Sequence, residues 1–281
     1  MQIPTCLHAG VAVTGIAVAG IAAMGTASAV PVTQSQSPPV VANDVRPTND
    51  VRPSATVPPG GLLTAFVHNQ VLYCSIICPL LVQTAVTAAG TAQQAPDTYR
   101  TAVRTDGPVK AIGITAASIT GPTNTAAERA ILADGTEVAP RALNAFEVGV
   151  VGLLNVVPAA AGGPPAIAAA VQTARQDTYT AQNLPIVPNP TPTVRPHGVV
   201  QTTVIGAIDV GAAVAFPAFN DVLSGAFRTP DAMARELAAT GDPARAVAAG
   251  ADTVTGVQAA AGAVVANSIA GTAAKIRAAT G

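Results

Sequence analysis

The sequence predicts a mainly α fold, an irregular helical bundle with Pro-kinked apolar helices. Three observations carry that prediction. The apolar residues are chiefly Ala and Val, with aromatics at 3% and no tryptophan. A core of this kind must be built from small side chains packed closely. The longest apolar run, Leu62 to Ala89, has a helical rather than an alternating period. Towards the end of the chain, caps, first-turn prolines and stop glycines bracket further helices.

Bulk composition excludes some functions. The chain has 281 residues, enough to bury a core, and only 10% of them are charged. The net charge is −1, and no Lys/Arg cluster supplies the footprint a nucleic-acid binder needs. No nucleic-acid partner is expected.

Residues 1–29 read as a secretory signal. A weakly apolar Ala/Gly/Val run is followed by Thr26-Ala27-Ser28-Ala29, which places small residues before a cleavage point between Ala29 and Val30. The n-region departs from the pattern because it carries no Lys or Arg. Cys6 lies inside this segment without a lipobox. Residues 30–61 form a Pro-, Ser- and Thr-rich linker, expected to be disordered, with the tandem NDVRPT/NDVRPS at its centre. Export to the envelope or the extracellular space follows from the signal.

The folded part is expected to begin with a helical region at 62–183. On a helical wheel Leu62, Leu63, Phe66, Tyr73, Ile76, Ile77 and Leu80 share one side, and Thr64, His68, Ser75 and Cys78 the other. Pro79 lacks the N–H for the preceding turn, so a bend is expected near Cys78–Pro79. Cys74 and Cys78 form a C-x-x-x-C pair in an exported chain, which points to a local disulfide. One helical turn places such Cα atoms ~6 Å apart, and closing so short a loop contributes roughly 2 kcal/mol.

Further along, Pro96 to Asp106 is polar and helical, and Gly107-Pro108 ends it. Val109 to Thr120 reads equally as a strand pair or a helix. Thr125 to Ala133 is a helix, with a turn at Asp134-Gly135. The apolar runs at 62–89, 142–161 and 199–227 echo one another loosely, with prolines at 79, 158 and 217, as a degenerate helical repeat would. Residues 184–198 form a Pro-rich connector and 199–281 a helical C-terminal region. There, Thr229-Pro230-Asp231 marks a helix start, Gly241 a stop, and Asp242-Pro243 a new start.

Candidate chemistry is sparse. Beyond the signal segment the only histidines are His68 and His197, and no nucleophile elbow, zinc, Walker or dinucleotide motif is present. Neither a metal site nor a cofactor is predicted, and no catalytic residue is assigned. Glu147 and Asp209 stand out because each lies in an apolar run, where a carboxylate must be paired, protonated or at a polar edge. With His68 they are the candidate buried polar residues.

The signal ending TASAVPV, the Pro-rich tether and the helix containing CSIICP give the chain a resemblance to the Ala/Val-rich exported proteins of mycobacteria and related actinobacteria. It differs from the PE and PPE families, which open with motifs of their own. The resemblance implies an envelope or extracellular setting and no particular activity. The expected function is therefore structural or interactive, with an envelope protein or lipid as partner. Two alternatives stand beside it. One is membrane association, including outer-membrane insertion, since the apolar runs nearly span a bilayer. The other is a secreted enzyme, which would need polar groups converging on a cavity near Asp209 or His68.

Overall fold

The structure is a computed structural model that describes residues 57–280. The expected signal segment, its Ala29/Val30 junction, Cys6 and the tandem linker repeat lie outside the described residues. Within them the chain is helical and contains no strand. The elements are α1 (Gly61–Ala133), a π-turn (Asp134–Val138), α2 (Ala139–Ala159), α3 (Gly163–Gln182), α4 (Gly198–Ala213), a second π-turn (Val214–Ala218), α5 (Phe219–Thr240) and α6 (Pro243–Thr280).

α1 tolerates more proline than the sequence suggests. It runs through Pro79, Pro96, Pro108 and Pro122 and breaks its geometry only at Gly107, at φ 79° and ψ 168°. That backbone region is open to glycine and nearly closed to other residues. Pro108 then opens the second limb, where a missing N–H costs nothing. The bend expected at Cys78–Pro79 does not divide the helix. Pro79 is exposed, so water can satisfy the carbonyl it leaves without a donor. The ambiguous stretch 109–120 is helical, and the predicted turn at Asp134-Gly135 is a π-turn that lets the helix continue into α2.

Each cross-helix pair fixes a direction. Along one long seam Thr120 meets Asp231, Glu128 meets Arg228 and Asp134 meets Asn220. Further down, Gln201 meets Asn155. Numbers rise on one side and fall on the other, so 108–159 and 198–240 run antiparallel. α6 folds back on α5 and α4, with Gly225 against Val257, Arg245 against Glu236 and Thr272 on Gly206. α3 packs back on α2 through Gly152 and Ala174. The first limb of α1 joins them where Asn69 donates to the Gln182 carbonyl. The Pro-rich connector thus separates helices in sequence but not in space.

Turn chemistry explains the sharpest reversal. Gly241 takes φ 71° and its N–H reaches the Leu237 carbonyl at 2.8 Å, closing α5. Asp242 Oδ1 then accepts from the Ala244 N–H at 2.8 Å, capping α6 ahead of Pro243. By contrast Pro230 starts nothing, because it lies within α5. The three prolines of the internal echo also sit in different settings. Pro79 is mid-helix, Pro158 ends α2, and Pro217 falls in a π-turn.

The interior is made of small residues. Ala111, Ala126, Ala127, Ala130, Ala174, Ala181 and Ala234 are buried, and no large side chain is fully buried. Leu63, Phe66, Leu81, Leu153, Val157 and Val200 point outward. Helices lined with Ala and Gly approach closely, so few bulky aliphatics lie inside, among them Val138, Val151 and Ile205.

Candidate functional site

Two sites emerge from this packing. The first is an apolar groove of about 390 Å3 between the first limb of α1, α2 and α3. Leu62, Phe66 and Tyr73, all on the predicted apolar side of α1, form one wall. Phe146, Val150 and Leu153 of α2 form the second wall, and Val171 and Arg175 of α3 the third. α2 and α3 approach closely at small residues, Gly152 against Ala174 and Gly149 against Thr178. Larger residues flanking those contacts then project to the groove's sides.

The groove is backed by a buried cation. Arg141 is 3% exposed and has no carboxylate partner among the described residues. Its Nε donates to the Leu184 carbonyl at 2.9 Å and its Nη2 to the Gln182 carbonyl at 2.7 Å. Its Nη1 donates to the Tyr73 hydroxyl oxygen at 2.7 Å, and the guanidinium lies 5.5 Å from the Tyr73 ring centre. Carbonyls past the end of α3 are natural acceptors for a cation. Beside it, the Gln182 Oε1 is buried without a hydrogen-bond partner.

The second site unites two of the three polar residues singled out from sequence. Glu147 of α2, 3% exposed, hydrogen-bonds with Asp209 of α4. Lys275 of α6 donates to Asp209 Oδ2 at 2.9 Å. One ammonium offsets one carboxylate, and the second carboxyl has no counter-charge. Glu147 is therefore pushed up to about 8, first by burial and then by the hydrogen bond and charge of Asp209; Lys275 opposes the shift. Its Oε1 is buried with no partner. Next to the pair, a cavity of about 350 Å3 is lined by Asp209, Lys275, Ser268, Thr272, Phe216 and Leu143, among others. Its charged groups are engaged with one another, and the Thr272 hydroxyl donates to the Gly206 carbonyl at 3.2 Å.

His68 is not part of either site. It is exposed on the far side of α1, as the helical wheel placed it. Cys74 and Cys78 are joined across one turn of α1, with Cα atoms 5.2 Å apart. Among the described residues no group of three or more His, Cys, Asp or Glu converges on a possible metal position. Sequence reasoning missed Arg141, Arg175 and Lys275, since each sits at the border of an apolar run where a cation looks like a flank. Comparison with family models, characterised proteins and solved structures gave no match.

Proposed function

We propose that this chain is an exported helical protein of the cell envelope or extracellular space, with a structural or interaction role. The observation that carries the reading is the inverted distribution of bulk. Alanine and glycine fill the interior while Leu63, Phe66, Val71, Leu81, Leu153 and Val157 stand exposed. A water-soluble surface rarely spends so many large aliphatics without a hydrophobic counterpart. The signal-like segment at 1–29 supports a counterpart outside the cytoplasm. A catalytic reading gains little support: the cavity beside Glu147 and Asp209 does hold Ser268 and Thr272, but Lys275 is engaged with Asp209 and the Thr272 hydroxyl with the Gly206 carbonyl.

A second reading, insertion into a membrane, is favoured by one observation. Three helical stretches, Gly61–Gln182, Gly198–Thr240 and Pro243–Thr280, are long and apolar enough to cross a bilayer. Against it, Arg175 and Asp177 stand on the helix that borders the apolar groove, with Asp177 exposed.

Fractionation of the native host followed by alkaline-carbonate extraction of the envelope separates the readings. Release from the pellet, or recovery from the medium, is the expected result. Retention in the pellet would favour insertion, and recovery from the cytoplasm would overturn export.

A further inference from the structure

We propose that the groove between α1, α2 and α3 binds one single-chain anionic amphiphile of the fatty-acid class, its carboxylate on Arg175 and its alkyl chain along Leu62, Phe66, Phe146, Leu153 and Val171. The proposal deepens the interaction reading above and rests on it for its biological setting.

Charge complementarity selects this occupant. Arg175 lines the groove and has no ion-pair partner among the described residues. Its methylenes can lie along the apolar wall while the guanidinium stays at the rim, the usual posture of a long cationic side chain. A guanidinium is also the side chain best matched to a carboxylate, through two parallel N–H donors. The other cation nearby, Arg141, likewise lacks a carboxylate, and no acidic side chain lines the groove. Along the groove wall the charge is thus positive. A neutral lipid would leave it so, and a cationic one would be repelled.

Shape selects one chain. The volume of about 390 Å3 lies towards the small end of the range for small-molecule sites, about 300–1,000 Å3. From Leu62 to Tyr73 the α1 wall extends for ~16 Å, a rise of about 1.5 Å per residue. A volume of that size spread along that length fits one extended alkyl chain. The Tyr73 hydroxyl, which accepts from Arg141, closes one end.

The test is calorimetric titration of the purified full chain with dodecanoate and, separately, with its methyl ester. The acid should bind at least about tenfold more tightly than the ester, the worth of one charge-assisted hydrogen bond. R175A should remove that difference by weakening the acid alone. V171D sets a carboxylate at an exposed position beside the chain and should abolish binding of both. Circular dichroism on each variant confirms folding, and both substitutions lie on a solvent-accessible face of α3. Equal affinity for acid and ester in the unmodified protein would overturn the head-group contact. Undiminished binding by V171D would overturn the groove as the site. No binding of either probe would sink this proposal and leave the envelope reading standing. Recovery of the protein from the cytoplasm would do the reverse.

Discussion

Gly113 presses on the backbone of Ala238 so closely that a Cβ there would fall inside van der Waals contact with the Ala238 amide nitrogen. Gly152 with Ala174, Gly206 with Thr272 and Gly225 with Val257 repeat the arrangement at other crossings. Missing side chains set how near the helices come, and that nearness drives the large aliphatics outward. The exposed apolar surface and the groove are thus consequences of the same glycines and alanines that hold the bundle together.

G113A should therefore destabilise the fold, because its new methyl meets backbone that cannot swing aside. Overpacking of this sort costs about 1–3 kcal/mol. G256A provides the contrast: nothing lies within 4 Å of its would-be Cβ. As a mid-helix glycine it should gain roughly 0.5–1 kcal/mol on replacement. Urea denaturation of the two variants should move the midpoint in opposite directions. Equal shifts would mean that helix propensity, rather than close approach, governs both positions.

Glu147 should make stability fall as pH rises. Its carboxyl holds a proton to about 8 in the folded chain against an ordinary value of 4.5. Between those values the folded state binds more protons than the unfolded state, so stability decreases with pH. The contribution is full below the ordinary value and is lost on passing through about 8. The facing groups are Asp209 on α4 and Lys275 on α6. Thermal melts from acidic to mildly alkaline pH should show a declining Tm, and E147Q should flatten the decline. Parallel profiles for the two proteins would show that the carboxyl pair is not the source.

Arg141 should behave as a staple rather than as a surface charge. R141A removes donors to the Leu184 and Gln182 carbonyls and to Tyr73; the Gln182 carbonyl keeps its bond from Asn69, while the half-buried Leu184 carbonyl and Tyr73 hydroxyl lose theirs. A loss of about 3 kcal/mol is expected for such a site. R141K should recover only part of it, because an ammonium cannot reproduce the guanidinium fork. Full recovery in R141K, read by denaturant titration, would mean that charge alone suffices.

Much of this was legible in the sequence, and the remainder has a physical reason. The helical class, the Gly241/Asp242 reversal and the apolar side of α1 follow from local signals that act within a few residues. So does the wariness about Glu147 and Asp209, since a carboxylate in an apolar run always needs an explanation. Their mutual contact was not legible, because it joins positions 62 residues apart through the antiparallel course of two helices. At Pro79 the helix is not divided, for a different reason. The rule that proline breaks a helix assumes a freed carbonyl with no other partner, and on an exposed face water supplies one. Arg141 was hidden because nothing near it in sequence reveals that the carbonyls at 182 and 184 fold back onto it.

The disulfide should contribute little to stability. Cys74 and Cys78 lie one turn apart in a helix that continues unbroken on both sides. The closed loop is short, so the chain-entropy contribution is at most about 2 kcal/mol. The bridge cannot tie α1 to any other helix. Reduction, or the double variant C74S/C78S, should therefore lower Tm only slightly and leave far-UV circular dichroism unchanged. Since neither cysteine lines the groove, dodecanoate affinity should also be unaffected. A large loss of helicity on reduction would show that the bridge holds the first limb of α1 in place across Pro79, and that the helix does not carry through the proline on its own.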